Sequence, residues 1–350
     1  MSRRIKVGLI GYGMAGRVFH APLIGAAPSL ELVAIATGRT VEVAAMDPTI
    51  TCYPDAQSLI ADCDVELAVV ATPSATHANI AADALRAGKH VVVDKPFALT
   101  LEQARDLARL AQATGKQLTV FHNRRFDSDF LTIRAILEEG LIGRVTHFES
   151  HFDRFRPDVR DRWREDGSPG SGVWFDLGPH LIDQALALFG RPLAVSADIA
   201  ALRSGSAADD WAHVVLRYAD RRVILHASLH APSGDGGGSP RFAVHGSKGS
   251  VIKRGMDQQE AQLIAGLRPG DAGWGDDSDP VAIYDAHGMV TLRPATVGRQ
   301  QLFYAKLGEA LLFGNPLPIP LEEAVAVQEV LEAALMSARD KEVVALPLPD

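Results

Sequence analysis

The chain has 350 residues, 47% of them hydrophobic and 22% charged, enough for a sizeable core and for two domains of about 100 to 200 residues each. Its formal net charge of -8 excludes a general attraction to nucleic acid or to anionic membrane surfaces, so an anionic ligand must be met by local charge. No apolar run approaches the roughly 18 residues of a membrane span, the N-terminus passes from Arg3-Arg4 into a strand without a secretory leader, and Cys52 and Cys63 fit no CxxC pattern, which together predict a reducing, cytoplasmic setting.

The first element, Lys6 to Gly16 (KVGLIGYGMAG), is an apolar strand running into Gly11, Gly13 and Gly16. This spacing permits a tight turn, brings the backbone close to a pyrophosphate and packs the following helix on the sheet. The helix N-terminus, around Met14 and Ala15, then points at the phosphates. Val7, Leu9 and Ile10 form the strand, and Val18, Phe19 and Leu23 have the spacing of a helix face, which is the context a lone GxGxxG lacks. The chain is therefore expected to begin with a dinucleotide site. Leu30 to Ala36 reads as the second strand, at whose end the adenosine ribose would be read. An NAD site places a carboxylate there and an NADP site a cation; Thr37-Gly38-Arg39-Thr40 offers Arg39 and no carboxylate, so NADP is preferred over NAD.

Strand and helix continue to alternate. Leu67 to Ala71 ends in Thr72-Pro73-Ser74 and is followed by a helix whose face is Ile80, Ala81, Ala84 and Leu85. Val91 to Val93 is an apolar run typical of a strand covered on both faces. Thr100 and Gln103 have capping-box spacing before a helix that Gly115 stops, and Leu118 to Phe121 supplies another strand. Such βα alternation predicts an α/β Rossmann domain over residues 1–122 with a parallel, doubly wound sheet. After a helix near Phe130 to Leu137 the texture changes to period-2 segments: Val145 to Asp153, Ala194 to Ala201, Trp211 to Tyr218, Arg222 to His230 and Phe242 to His245. Residues 123–350 are therefore expected to form an α+β domain with an open, mostly antiparallel sheet that binds substrate and carries self-association to a homodimer or homotetramer. His151, His213, His226 and His230 read as surface or interface residues, because no metal-ligand spacing links them, and no metal is expected. Pro232 to Pro240 and Asp271 to Pro280 read as loops, and helices near Gln301 to Phe313 and Leu321 to Ala338 close the chain.

Two stretches look unlike scaffold. In Val91 to Phe97 (VVVDKPF) a buried strand delivers Asp94 and Lys95 to its carboxyl end, where an α/β sheet binds its ligand. In Gly170 to His180 (GSGVWFDLGPH) Asp176 and His180 are four apart and share a face if helical, although Gly178-Pro179 is expected to delay the helix start. An ammonium, a carboxylate and an imidazole are the parts needed to oxidise an alcohol beside a nicotinamide. No Tyr-x-x-x-Lys of short-chain dehydrogenases is present, and two cysteines are too few for a zinc alcohol dehydrogenase.

These motifs resemble the glucose-fructose oxidoreductase and inositol dehydrogenase family (Gfo/Idh/MocA) over essentially the full length. The family's Glu-Lys-Pro stands here as Asp94-Lys95-Pro96, and its Asp-x-Gly-x-His as Asp176-Leu177-Gly178-Pro179-His180. HNRRFDSDFLTI from His122, FRPDVRDRWRE from Phe155 and LFGRPLAV from Leu188 are similar to NADP-dependent scyllo-inositol dehydrogenases. The resemblance implies hydride transfer between NADP and a hydroxyl of a cyclic polyol or sugar, with inositol first and aldoses or ketoses as the alternative; a non-catalytic nicotinamide sensor is the reading from another class. It implies that His180 is the acid/base, Lys95 stabilises the alkoxide, and Asp176 binds a hydroxyl or orients His180. It also implies that Trp163 and Arg164 reach over the cofactor, that Thr72, Pro73 and His77 flank the nicotinamide ribose beside Asp94, and that Asn123 lines the substrate site. The ordinary pKa of an imidazole, about 6.5 against about 10.4 for lysine, suits that division.

Overall fold

A computed structural model describes residues 3–231 and 238–348; Pro232 to Gly237, most of the expected loop there, lie outside the described residues. The chain divides into two units, one of residues 1–123, 259–274 and 299–325, the other of residues 124–258, 275–298 and 326–350.

In chain order the strands of the first unit are β1 (Ile5–Ile10), β2 (Leu30–Ala36), β3 (Thr51–Tyr53), β4 (Leu67–Val70), β5 (His90–Val93) and β6 (Leu118–Val120). They are all parallel in the order β3-β2-β1-β4-β5-β6, so the order reverses between β1 and β4. Ligands of doubly wound sheets sit at that reversal, outside the carboxyl ends of the strands. Burial follows from the sequence: all of β4 and Val91 to Val93 are inaccessible, as the unbroken apolar runs require. The connecting helices are α1 (Ala21–Gly25), α2 (Thr40–Met46), α3 (Ala56–Ala61), α4 (His77–Arg86) and α5 (Leu101–Thr114). Thr100 caps α5 by accepting from Gln103 N at 3.2 Å, the Gln103 side chain accepts from Leu99 N at 3.0 Å, and Gly115 ends the helix in the left-handed region. The segment after the glycine turn departs from expectation. Ala15–His20 is a π-turn that leads into α1, so the buried face is Gly16, His20, Leu23 and Ile24, while Val18 and Phe19 are only partly covered. The wider turn sets back the phase of the helix and substitutes His20 for the expected pair.

The second unit holds α6 (Ser128–Glu138), β7 (Val145–Asp153), α7 (Val173–Phe189), β8 (Ala194–Ala200), β9 (Trp211–Arg217), β10 (Arg222–Ser228), β11 (Phe242–Gly246), β12 (Gly249–Lys253), β13 (Val281–Asp285), β14 (Val290–Arg293) and β15 (Val344–Ala345). The strands form one sheet in the order β14-β13-β12-β11-β7-β10-β9-β8-β15, antiparallel except where β7 and β10 pair in parallel. Helices α8 (Gln259–Ala265) and α9 (Leu302–Phe313) fall in the first unit, and α10 (Leu321–Asp340) closes the chain. Within the sheet, Phe148, Phe152, Val214, Leu216, Val223 and Leu225 are buried on the face that meets α7, whereas Glu149, His151, His213, Ile224, His226 and Ile252 alternate onto a partly exposed face.

Helix α7 begins at Val173 and runs through Gly178-Pro179, so the expected delay does not occur. Its start is fixed from outside: Asp209 Oδ2 accepts from Trp174 N at 2.7 Å, and burial pushes the Asp209 carboxyl up to about 6. Trp174 is fully buried and donates from Nε1 to Leu331 O at 3.2 Å, and Gly178 is required because a Cβ would lie 2.9 Å from the Trp174 ring. Pro179 forgoes only the bond it would make to the carbonyl of Phe175, an expense the packed tryptophan offsets.

Candidate active site

In the first unit the sequence-derived residues collect along the carboxyl edge of the sheet. Gly11 has φ +100°, and a Cβ there would lie 2.5 Å from Ala71 O; a Cβ at Gly16 would lie 2.1 Å from Gly11 O. Those two glycines are demanded by the protein's own packing. Gly13 has nothing within 4 Å of its missing Cβ, and Met14 beside it is exposed, so open space lies against the backbone where a pyrophosphate would approach. The cradle fits a dinucleotide on that observation. At the end of β2, Arg39 is exposed and donates to Glu42 Oε1 at 2.8 Å.

After β4, Thr72 Oγ1 and Thr76 Oγ1 are 2.7 Å apart, and Thr76 donates to Pro73 O at 2.8 Å, which fixes the Thr72-Pro73 turn. His77 is buried, with Nδ1 2.8 Å from Pro96 O and Nε2 2.8 Å from Thr72 O, so its ring ties the loop after β4 to the loop after β5. Burial pushes its pKa down, against the pull of the Asp94 charge. Asp94 Oδ1 accepts from Lys95 N at 2.9 Å, the Lys95-Pro96 peptide is cis, and Lys95 is partly buried. Behind Asp94 stands a residue that the sequence reading missed. His20 is fully buried, its Nε2 3.7 Å from Asp94 Oδ1 and its Nδ1 2.6 Å from the hydroxyl of Tyr304 in α9. Burial pushes the Asp94 carboxyl up, but the contact and charge of His20, with the charge of Lys95, outweigh it and hold Asp94 ionised. Burial also keeps the Tyr304 phenol protonated, 2.6 Å from His20 Nδ1. Asn123 is buried just beyond β6.

In the second unit, α7 presents Asp176 and His180 one turn apart, as their spacing of four requires. Asp176 Oδ1 is 3.4 Å from Arg164 Nε, and its other oxygen is 4.0 Å from Arg154. The Arg164 guanidinium lies 4.3 Å over the Trp163 ring, so Trp163, Arg164 and Asp176 form one cluster. His180 is buried at 6% exposure and stacks on Phe152 at a centroid distance of 6.3 Å, and Arg154 lies 5.1 Å over the same ring. Beneath Phe152, buried Arg241 donates to Ser150 Oγ and Gln184 Oε1, each at 2.6 Å, and to Asp129 at 3.2 Å. This network makes a rigid floor for the imidazole. Burial together with neighbouring Arg154, Arg162 and Arg160 pushes the Arg156 guanidinium down, a measure of how much positive charge this stretch gathers around one carboxylate. Phe152 and Arg154 carry no motif of their own; their one signal was a position at the end of a strand with a clear period of 2.

Residues 5–122 match the family described as "Oxidoreductase family, NAD-binding Rossmann fold", and residues 134–346 match "Oxidoreductase family, C-terminal alpha/beta domain". The chain is 46% identical to the Escherichia coli (strain K12) oxidoreductase YdgJ over 97% of this chain and 98% of that one. It is 36% identical to the scyllo-inositol 2-dehydrogenase (NADP(+)) IolW of Bacillus subtilis (strain 168) over 98% and 96% respectively. A crystal structure of an oxidoreductase from Klebsiella pneumoniae superposes with a TM-score of 0.92 at 49% identity, covering 100% of this chain and 97% of that chain. Among the described residues, no helix is long and apolar enough to cross a membrane.

Proposed function

The chain belongs to the Gfo/Idh/MocA oxidoreductase family, and on that premise we propose that it is an NADP-preferring dehydrogenase of CH-OH groups in a cyclic polyol, an inositol such as scyllo-inositol before a sugar. The observation that carries the reading is the carboxyl edge of the parallel sheet, where the open backbone at Gly13, Arg39, the Thr72-Pro73 turn and the Asp94-Lys95 pair all stand. The nicotinamide, when bound, supplies the hydride acceptor or donor. Gly11 to Gly16 would hold its pyrophosphate, Arg39 its 2'-phosphate, and Thr72, Pro73, His77, Asp94, Trp163 and Arg164 the remainder. In this reading residues 1–122 serve the cofactor, and residues 123–350 serve substrate and self-association through the second sheet.

His180 takes the hydroxyl proton as the alcohol is oxidised and returns it in the reverse direction; an imidazole is suited to exchange a proton near neutrality. Lys95 acts as fixed positive charge against the developing alkoxide, and Asp94 with His20 behind it holds that ammonium's backbone in place. Asp176, anchored by Arg164, binds a substrate hydroxyl or orients His180, and Asn123 adds a polar contact. The test is a reduced-cofactor absorbance assay across inositols and sugars with NADP and NAD. His180→Ala is expected to lower kcat by about 10² to 10⁴ while NADPH affinity persists. Equal loss of both, or no turnover of any polyol or sugar by the parent enzyme, overturns the reading.

A further inference from the structure

On the face of the second sheet opposite α7, strand register assembles three ligand-type side chains that lie far apart or merely alternate in sequence. Pairing of β7 with β10 sets His151 beside His226, and the period of 2 places Asp153 on the same face. One ligand atom from each of His151, Asp153 and His226 lies within 4.8 Å of the others. His226 Nε2 is 3.6 Å from Asp153 Oδ1, and His151 Nδ1 is 3.8 Å from Asp153 Oδ2. We infer that these three residues form a binding site for a divalent ion of the zinc class.

The spacing is close to what such an ion needs. Bonds of about 2.1 Å in a tetrahedral arrangement separate ligand atoms by about 3.4 Å, so the histidine contacts to the two Asp153 oxygens, 3.6 and 3.8 Å, need to close by tenths of an ångström, and the ligand atoms of the two imidazoles, within 4.8 Å of each other, by at most about 1.4 Å. Two imidazoles with one carboxylate suit zinc, cobalt or nickel rather than magnesium or calcium, which favour all-oxygen sets. The surroundings are built for the same purpose. Glu149 Oε2 lies 2.9 Å from His151 Nε2, which places the ring proton there and turns the Nδ1 lone pair toward Asp153. A carboxylate behind a ligating histidine is the usual outer support of a metal site. His226 packs edge-on against Trp211 at 5.5 Å and against His213 at 5.6 Å, which limits its rotation.

Asp153 is the group whose position most needs explaining. It is 4% exposed, and neither carboxylate oxygen accepts a hydrogen bond among the described residues. A buried carboxylate without donors is costly, and a bound cation removes that cost. An ion here would staple β7 to β10, on the face away from Asp176 and His180, so its role is structural and the inference does not rest on the proposed reaction.

The test uses the full-length protein after chelator treatment. Titration with Co²⁺ is expected to give a visible absorption band saturating at one equivalent per chain and displaced by Zn²⁺, and Zn²⁺ is expected to raise the melting temperature. Asp153→Asn, which keeps the shape and removes a buried charge, should abolish both effects, as should His226→Gln. Glu149→Gln should weaken the ion by about 10- to 100-fold, and His245→Ala, on the same sheet face, should change nothing. Absence of a stoichiometric band in the parent protein, or its survival in folded Asp153→Asn, overturns the inference.

Discussion

The guanidinium of Arg39 already has a partner, Glu42 at 2.8 Å, in an exposed i,i+3 pair. Such pairs contribute about 0 to 1 kcal/mol, so a 2'-phosphate with two charges can take the arginine away from it. Arg39→Ala is therefore expected to weaken NADPH about tenfold or more, the equivalent of a charged hydrogen bond of about 1.5 to 3 kcal/mol, and to leave NADH nearly unchanged. Glu42→Gln removes the competitor and should tighten NADPH. Fluorescence titration with both cofactors checks this, and an unchanged preference in both variants removes Arg39 from the 2'-phosphate. Arg39, Lys95, Asp176 and His180 stand out in the sequence as candidates because each lies beside a local signal: a strand end, a proline, a spacing of four. His20 does not, because its meaning depends on Asp94 and on Tyr304, which sequence distance hides. The same applies to His226, a plain strand residue until register sets it against His151.

Whole elements were legible wherever one physical rule acted alone. The strands β4 and β5 read as unbroken apolar runs because both their faces are covered, and β9 and β10 as clean alternation because one face is open. The strands β12, β13 and β14 escaped notice: each has four or five residues, and β14 is largely exposed, so neither pattern develops. The π-turn after the glycine cradle was equally hidden, since composition does not distinguish one extra residue per turn. The cradle itself separates two functions that one motif usually confounds. Gly16→Ala would drive a Cβ to 2.1 Å from Gly11 O and is expected to cost about 1 to 3 kcal/mol of stability, with cofactor binding lost as a consequence. Gly13→Ala meets no protein atom within 4 Å, so the melting temperature should hold while affinity for either dinucleotide falls. Paired thermal melts and cofactor titrations decide; a Gly13→Ala protein that binds NADPH as tightly as its parent places the pyrophosphate elsewhere.

At the scale of the molecule, local periodicity revealed that helices follow the open sheet but not that residues 259–274 and 299–325 return to the first unit, because a helix pattern does not encode where the helix docks. The open face of the nine-stranded sheet raises the last question. Along one register row its outward positions are Val215, Ile224, Glu149, Ala243, Ile252, Ala282 and the 63% exposed Leu292, apolar but for Glu149, while the opposite face is packed. Exposed apolar surface of this extent marks an interaction site, and a sheet face can be self-complementary about a twofold axis, so the expected cover is a second copy of the chain. Ile252 tests this, because its immediate register neighbours are Ala243 and Ala282 and the carboxylate in its row, Glu149, stands one strand further away beyond Ala243. In the isolated chain the side chain of Ile252→Glu can reach water and should cost little. In a face-to-face dimer it would be buried unpaired, at several kcal/mol per chain. Sedimentation velocity is therefore expected to show an oligomer for the parent and a folded, NADPH-binding monomer for Ile252→Glu; a variant that stays assembled would move the interface off this sheet.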